Sequence, residues 1–126
     1  METKDKIRVS DVMTTPLVTV RESATVSEAA ELMAEEELSS LLVPGAEMGI
    51  VTSTDVLRAV ADGVDPTTTH VEDVMTRPVE RVATDLYLGE AAAMMTNYGI
   101  KHLPVIDEDG DYVGMVSSSD ITAAMA

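Results

Sequence analysis

The chain repeats itself at a fixed offset along most of its length. When Val9–Val43 is placed over Val71–Val105, about a third of the aligned positions are identical, and VSDVMTTP lies over VEDVMTRP. Two heptads, GIVTSTD at 49–55 and GMVSSSD at 114–120, follow in the same order if the first copy lacks three residues before its heptad. This order of matching blocks indicates an internal duplication, so a fold built from two copies of one unit is expected.

Each copy shows the same succession of secondary-structure signals. After Pro16 and Pro78, the alternating runs LVTV and VERV predict a strand. A helix follows, which a capping box predicts to begin at Thr25 in the first copy and which we expect to end near Tyr98-Gly99 in the second. Two short strands joined by a turn and a second helix complete the predicted unit.

Turn signals and polar segments set the remaining bounds. Turns are expected at 44–47 and 107–110, and second helices at 56–61 and 121–126. A polar linker, residues 63–70, separates repeat 1 (7–62) from repeat 2 (71–126). Each unit alone leaves part of its sheet and helices uncovered. We therefore expect an α+β fold of two β-α-β-β-α units, packed with pseudo-twofold symmetry and with a cleft between the halves.

The composition excludes several classes of protein. The 126 residues include no Cys, which excludes disulfides and thiolate metal sites. The stretch METKDKIRVS is too polar for a secretory signal, and no apolar run approaches the roughly 20 residues that cross a bilayer. We therefore expect a soluble cytoplasmic protein without a membrane partner.

The charge balance is strongly acidic. Eight Lys and Arg stand against 23 Asp and Glu, for a formal net charge of −15. Nucleic acid is therefore not expected as a partner, because phosphate contacts need a basic face. The acidic residues are spread along the chain, which predicts a solvated acidic surface of the kind found in salt-loving organisms.

The repeated heptad permits two interpretations. Thr52–Asp55 and Ser117–Asp120 both match a capping box, which predicts a structural role at a helix start. A strand-to-helix junction also presents backbone N–H groups to anions, and an Asp there can accept hydrogen bonds from two adjacent ribose hydroxyls. The heptad glycine could let backbone approach a ligand closely or simply suit a tight strand. The residues alone leave both interpretations open.

Other candidate groups do not indicate catalysis or a metal site. No nucleophile stands beside a base in a recognisable arrangement. The two His residues are far apart in sequence, and without Cys they do not form a zinc motif. The acidic stretch 107–110 lacks the ligand spacing of a calcium loop and predicts a hairpin turn instead. We therefore expect no enzyme activity and no metal.

Together these motifs resemble a tandem pair of CBS domains, the module named after cystathionine β-synthase. The resemblance covers about Ile7–Ala126 and rests on DVMT-x-P, the apolar helix, the L-[LP]-V strand and the closing Gly-apolar-apolar-[ST]-x-x-Asp. It implies no required cofactor and no catalytic residue. It also implies two sites for a regulatory adenosine ligand such as AMP, ADP, ATP or S-adenosylmethionine.

The resemblance further implies which residues bind that ligand. Asp55 and Asp120 would hold the ribose, and the other residues would contact ribose or phosphate or frame the adenine. Basic residues at 101 and 102, where the first copy has two serines, predict unequal sites, which Arg58 could offset. The implied ligand-binding residues are Thr14, Thr15, Pro16, Leu38, Ser39, Ser40, Leu41, Thr52, Asp55, Arg58, Thr76, Arg77, Pro78, Ile100, Lys101, His102, Leu103, Ser117 and Asp120.

The leading hypothesis is a regulatory module that senses an adenosine ligand in the cleft and transmits its presence to a separate effector protein. The resemblance implies a homodimer formed through helices, and Ile121–Met125 is the candidate dimer contact. The alternative hypothesis is a ligand-free module whose role is dimerisation. The negative charge disfavours anionic nucleotides relative to cationic S-adenosylmethionine, so the ligand stays open at this point.

Overall fold

The computed structural model describes residues 6–126, which divide into two compact units. The central unit is Val18–Val79. The terminal unit combines the segment that ends at Leu17 with Glu80–Ala126. Residues 1–5, which belong to the stretch predicted not to be a secretory signal, lie outside the described residues.

The elements form a mixed α+β fold, as predicted. In chain order they are α1 (Val9–Val12), α2 (Val26–Glu36), β1 (Ser40–Val43), β2 (Gly49–Thr52), α3 (Ser53–Ala61), a 3₁₀ turn (Val71–Asp73), β3 (Val82–Ala83), α4 (Leu88–Tyr98), β4 (His102–Ile106), β5 (Tyr112–Ser117) and α5 (Ser118–Met125). Within residues 6–126, no helix has the length and apolar character that crossing a membrane requires.

The central unit is built on the antiparallel pair β1–β2, in which Ser40 lies opposite Thr52. A parallel bridge joins Thr19 to β1, and an antiparallel bridge joins Thr76 to β2. One apolar face of α2 covers the pair, because its apolar residues recur at helical spacing. The buried core of this unit consists of Ala29, Met33, Leu41, Val43, Val51 and Val71.

The terminal unit has the same arrangement with longer strands. Strands β4 and β5 pair antiparallel, with His102 opposite Ser117, and β3 lies parallel to β4. Thr14 bridges to Met115 on the outer side of β5. The buried core of this unit consists of Val9, Val82, Leu88, Ala91, Met95, Leu103, Val105, Val116 and Ile121.

The two repeats exchange their leading segments. Val71 of repeat 2 is fully buried in the central core, and its N–H donates to the Ala24 carbonyl at 2.8 Å. Val9 of repeat 1 is fully buried in the terminal core, and its N–H donates to the Leu86 carbonyl at 2.9 Å. Each unit therefore needs the DVMT-x-P motif of the other repeat. The predicted bounds 7–62 and 71–126 describe the repeats in sequence, whereas the compact units cross them.

Local signals set several bounds correctly. Thr25 caps α2 through a reciprocal pair of hydrogen bonds with Glu28, at 2.9 and 3.1 Å, as the capping box predicted. Hydrogen bonding of the Glu28 carboxylate to Thr25, chiefly to its backbone N–H, holds the pKa of Glu28 below its ordinary value. Helix α4 ends at Tyr98, and Gly99 follows with φ of 66°, as predicted. The hairpin turn at 107–110 is also confirmed.

Other predicted bounds were wrong. The run LVTV at 17–20 is no strand: only Thr19 bridges to β1, and the chain then turns, with the Ala24 N–H donating to Arg21. In the run VERV only Val82 belongs to a strand, the two-residue β3. The second helices begin at Ser53 and Ser118, three residues earlier than predicted, because the heptad hydroxyl residue is the N-cap and the helix follows it directly.

Candidate functional site

Each unit contains a junction at which a strand passes directly into a helix. In the central unit β2 ends at Thr52, which is the N-cap of α3; in the terminal unit β5 ends at Ser117, which is the N-cap of α5. The Asp55 N–H donates to Thr52 Oγ1 at 3.3 Å, and the Asp120 N–H donates to Ser117 Oγ at 3.1 Å. The capping interpretation of the heptad is therefore confirmed at both junctions.

The aspartate of each junction uses one carboxylate oxygen for the cap. Asp55 Oδ2 accepts from Thr52 N at 2.8 Å and from Thr52 Oγ1 at 3.0 Å. Asp120 Oδ2 accepts from Ser117 N at 2.8 Å. Within residues 6–126, Oδ1 of both aspartates receives no hydrogen bond, and the N–H groups of Thr54 and Ser119 find no acceptor. Each half-exposed junction thus offers an ionised acceptor and a donor to a ligand.

The start of the neighbouring strand lies against each junction. The Ser53 N–H donates to the Ser39 carbonyl, and the Ser118 N–H donates to the Lys101 carbonyl, both at 2.9 Å. The structure therefore brings the predicted segments 38–41 and 100–103 to the junctions. The side chains of Leu41 and Leu103 are fully buried in the cores, so only their backbone is available to a ligand.

The exchanged segments border the junctions on the other side. The Thr76 N–H donates to the Ile50 carbonyl at 2.9 Å, and the Thr14 N–H donates to the Met115 carbonyl at 2.8 Å. These threonines therefore pair with positions two residues before the N-caps.

The residues that follow these threonines run away from the junctions, because the pairing is antiparallel. Val79 already pairs with Met48, beyond the start of β2, with N···O of 3.0 Å. Arg77 forms an ion pair with Glu22 and lies close to Gly45 in the β1–β2 turn. The chain continues away from the junction at Pro78 in the central unit. It does the same at Thr15 and Pro16 in the terminal unit. The structure thus places Thr14 and Thr76 beside the junctions but directs these four residues toward the turn end.

The heptad glycines face the protein itself. A Cβ on Gly114 would lie 2.5 Å from Met13 Sδ and 2.8 Å from Met13 Cγ. A Cβ on Gly49 would lie 3.1 Å from both Met75 Sδ and the Thr76 carbonyl oxygen. Of the two interpretations left open for these glycines, the structure favours the structural one, because the exchanged segment packs closely against them. The Met in DVMT-x-P was the sequence signal for this contact.

The other charged and concave features lie apart from the junctions. A surface groove of about 540 Å³ runs along α2 between residues 19–24 and Glu28, Glu31 and Glu35, and no predicted site residue lines it. In the β4–β5 turn, Asp107, Asp109 and Asp111 can each bring an oxygen within 4.8 Å of the others. Asp107 Oδ1 there accepts the N–H groups of the other two aspartates, which is hairpin-turn geometry.

The fold and its paired junctions match a known family. The family model of the CBS domain matches residues 9–62 and 71–126 of this chain. The chain belongs to the CBS domain family. The family resemblance derived from the repeated motifs is therefore confirmed. Each matched CBS segment contains one of the heptads, whose aspartate stands at a junction.

Two similar proteins are longer than this chain. An uncharacterized 17.7 kDa protein of Acidianus ambivalens is 34% identical over 122 residues, which are 94% of this chain and 73% of that protein. The homoserine O-acetyltransferase of Methanococcoides burtonii is 40% identical over 116 residues, which are 90% of this chain and 23% of that enzyme. The CBS pair thus spans about a quarter of the acetyltransferase.

Two solved CBS structures are closely similar. The hexameric CBS-CP12 protein from bloom-forming cyanobacteria has a TM-score of 0.89 at 35% identity, over 94% of this chain and 71% of that one. The CBS domain pair of protein MJ0100, in complex with 5′-methylthioadenosine and S-adenosyl-L-methionine, has a TM-score of 0.83 at 28% identity, over 93% of this chain and 94% of that one.

Proposed function

We propose that this CBS pair is a regulatory module that binds an adenosine ligand at the two strand–helix junctions. The observation behind the proposal is the aspartate at each junction, which completes the cap with Oδ2 while Oδ1 receives no hydrogen bond within residues 6–126. An ionised carboxylate held rigidly at a helix start is a strong acceptor for vicinal ribose hydroxyls. The similar CBS pair in complex with methylthioadenosine and S-adenosylmethionine supports this choice of ligand class.

The remaining contacts follow from the position of each segment. The N–H of Thr54 or Ser119 would serve a polar group of the ligand. The adenine would lie against the strand starts, with Leu38 and Ile100 supplying partly exposed apolar surface. Thr14 and Thr76, on the exchanged segments, would border the ligand opposite the strand starts. A ligand so placed contacts both repeats within one unit, because each unit contains a segment from each.

Regulation requires that the ligand favour one state of the protein over another. The shift can be no larger than the difference in ligand affinity between the two states. A separate effector protein would recognise the favoured state, and the module itself would have no catalytic role. The acetyltransferase relatives share only about a quarter of their length with this chain, so their activity is not assigned to it.

A homodimer formed through helices is part of the proposal. The sequence favoured the last helix as the contact, but Ile121 is 8% exposed and belongs to the terminal core. More apolar surface is exposed on α3, where Leu57 is 70% and Val60 is 54% exposed. We therefore place the dimer contact on α3, with Met125 of α5 as a lesser candidate.

Changing each aspartate to asparagine separates ligand binding from capping. Asn can still accept the N-cap N–H through its amide oxygen, so Asp55→Asn and Asp120→Asn should lower the free energy of unfolding by less than about 1 kcal/mol. The neutral amide cannot replace an ionised acceptor, so affinity at the altered site should fall about tenfold. Calorimetric titration of AMP, ATP, methylthioadenosine and S-adenosylmethionine at high salt measures the affinity, and thermal unfolding measures stability.

The alternative is a ligand-free dimerisation module, which the completed caps and the exposed apolar face of α3 favour. In that case none of the four compounds binds the folded wild-type protein, and only Asp→Ala, which removes the capping box, changes a measured property. The proposal of ligand binding would then be abandoned. Saturable binding that weakens in either Asn variant would instead exclude the alternative.

We also infer that the acidic surface is an adaptation to high salt, because a net charge of −15 on 126 residues repels itself at low ionic strength. Screening shortens from about 10 Å at 0.1 M to about 3 Å at 1 M salt. The melting temperature should therefore rise by about 10 °C between 0.1 M and 2 M KCl. Sucrose at matched osmolality is the control, because it favours compact states without screening charge. An equal rise in sucrose would contradict the inference.

A further inference from the structure

The two junctions differ sharply in the charge of the segment beside them. The residues that lead into β1 read EEELSS at 35–40, whereas those that lead into β4 read NYGIKH at 97–102. These stretches occupy the same place in the two repeats, between the first helix and the first paired strand. The difference therefore concerns two otherwise equivalent sites.

Hydrogen bonds fix both stretches close to the site aspartates. The carbonyls of Ser39 and Lys101 each accept the first N–H of the following helix at 2.9 Å. That N–H lies two residues before Asp55 or Asp120. Glu37 caps α2 in the left-handed conformation with φ of 55°, as Gly99 caps α4 with φ of 66°, so the two approaches follow the same path.

The stretch that leads to the central junction carries carboxylates. Glu36 and Glu37 are exposed and lie two or three residues before Ser39. Their matching positions in the terminal unit are Tyr98 and Gly99, which are uncharged. At the terminal junction Lys101 is exposed and forms no ion pair within residues 6–126. A phosphate at the central junction would be repelled by the carboxylates that precede Ser39, whereas at the terminal junction the Lys101 ammonium would attract it.

The arginines of the central unit do not reverse this difference. Arg77 is paired with Glu22, and its segment runs toward the β1–β2 turn. Arg58 is exposed on α3, one turn after Asp55, and its single positive charge stands against the carboxylates of Glu36, Glu37 and Asp55. The central junction therefore stays acidic.

The aspartates themselves differ in the same direction. Asp55 Oδ2 receives a hydrogen bond from Thr52 Oγ1 in addition to the backbone N–H, whereas among residues 6–126 Asp120 Oδ2 receives only the backbone bond from Ser117. The Ser117 hydroxyl has no acceptor within the described part of the chain and can donate to a ligand oxygen, while the Thr52 hydroxyl already donates to Asp55. A ligand rich in anionic acceptors fits the terminal junction better.

We infer that the two junctions take adenosine ligands of different charge. The terminal junction binds an adenosine phosphate. The central junction binds an adenosine ligand without negative charge at its 5′ position, such as a thioether nucleoside or a sulfonium. This inference rests on the proposed function, and it makes the module a sensor of two signals.

The test uses two ligands that share adenine and the ribose diol and differ only at the 5′ position. AMP and methylthioadenosine are titrated calorimetrically into the full chain and into Asp55→Asn and Asp120→Asn. Asp120→Asn should weaken AMP about tenfold and leave methylthioadenosine within twofold; Asp55→Asn should do the reverse. If both variants weaken both ligands alike, the inference is wrong and the proposed function stands. If neither ligand binds the wild-type chain, the proposed function itself fails.

A charge exchange tests the cause. Lys101→Ser should weaken AMP about tenfold without changing methylthioadenosine, and Ser39→Lys in the Asp120→Asn background should restore AMP binding at the central junction. Arg21→Ser is the matched control, because it removes the same charge from the chain at a position away from either junction. An effect of Arg21→Ser on AMP as large as that of Lys101→Ser would assign the difference to net charge and overturn the inference.

Discussion

Replacing Gly114 with alanine should lower the free energy of unfolding by about 2 kcal/mol, which corresponds to a fall of about 8 °C in the melting temperature. The added Cβ would stand 2.5 Å from Met13 Sδ and 3.2 Å from Met13 Cβ, so the whole side chain must move. Met13 is partly buried against the terminal core, and its N–H donates to the Val9 carbonyl at 2.9 Å. The exchanged segment of repeat 1 must therefore shift with it.

Two control glycines make this prediction specific. Gly89 lies in the first turn of α4 with nothing within 4 Å of its added Cβ, so Gly89→Ala should raise stability by about 0.5 kcal/mol through helix propensity. Gly49→Ala should cost about 1 kcal/mol, because its closest contacts are at 3.1 Å. Thermal unfolding of the three variants should rank them Gly114, Gly49, Gly89 in order of decreasing loss.

A double mutant identifies Met13 as the cause. Met13→Ala removes Sδ and Cγ, so Gly114→Ala should cost at least about 1 kcal/mol less in that background than in the wild type. Met75→Ala should rescue Gly49→Ala less completely, because the Thr76 carbonyl oxygen remains at 3.1 Å. Additive losses for Met13 and Gly114 would show that the glycine is needed for another reason.

The sequence predicted those features that depend on residues near one another in the chain. The capping box at Thr25, the left-handed glycine at 99 and the acidic hairpin turn are set by local hydrogen bonds and backbone preference, and all three were confirmed. The capping role of the heptad aspartates was also predicted correctly, because spacing alone places Asp55 and Asp120 at the third helical position. The family was recognised from the motifs that occur in both repeats.

The features that were missed depend on which segment packs against which. The two copies of DVMT-x-P show that the leading segments of the repeats are similar. Their similarity does not indicate which compact unit each segment packs into. The segment Val9–Val12 forms a single helical turn, too short to show a helical period. The resemblance implied a ligand contact for Arg77, and nothing in the sequence indicated that its guanidinium pairs with Glu22, 55 residues away. Which unit a segment packs against depends on the burial of its side chains in the folded core, which the local sequence does not show.

The exchange of leading segments leads to a second large effect. Val71 belongs to repeat 2 in sequence, yet it is fully buried against Ala29, Met33 and Leu41 of repeat 1. Val71→Ala should therefore destabilise the central unit by about 1.5–3 kcal/mol, through lost burial and the cavity left behind. Hydrogen exchange should become faster at the amides of β1 and β2, while those of β4 and β5 keep their protection. Faster hydrogen exchange in β4 and β5 alone would contradict the assignment of Val71 to the central unit.

Val9→Ala is the reciprocal substitution, because Val9 is fully buried in the terminal core. It should speed hydrogen exchange at the amides of β4 and β5 and leave that of β1 and β2 unchanged, although Val9 lies in repeat 1. Thr96→Ala on α4 shortens a β-branched side chain at an exposed position outside the proposed dimer contact, so it should cost less than about 0.5 kcal/mol and alter neither pattern. Because each unit is completed by the other repeat, the threonine that borders each junction also comes from the other repeat. Loosening Val71 should therefore weaken ligand binding at Asp55, and loosening Val9 should weaken it at Asp120.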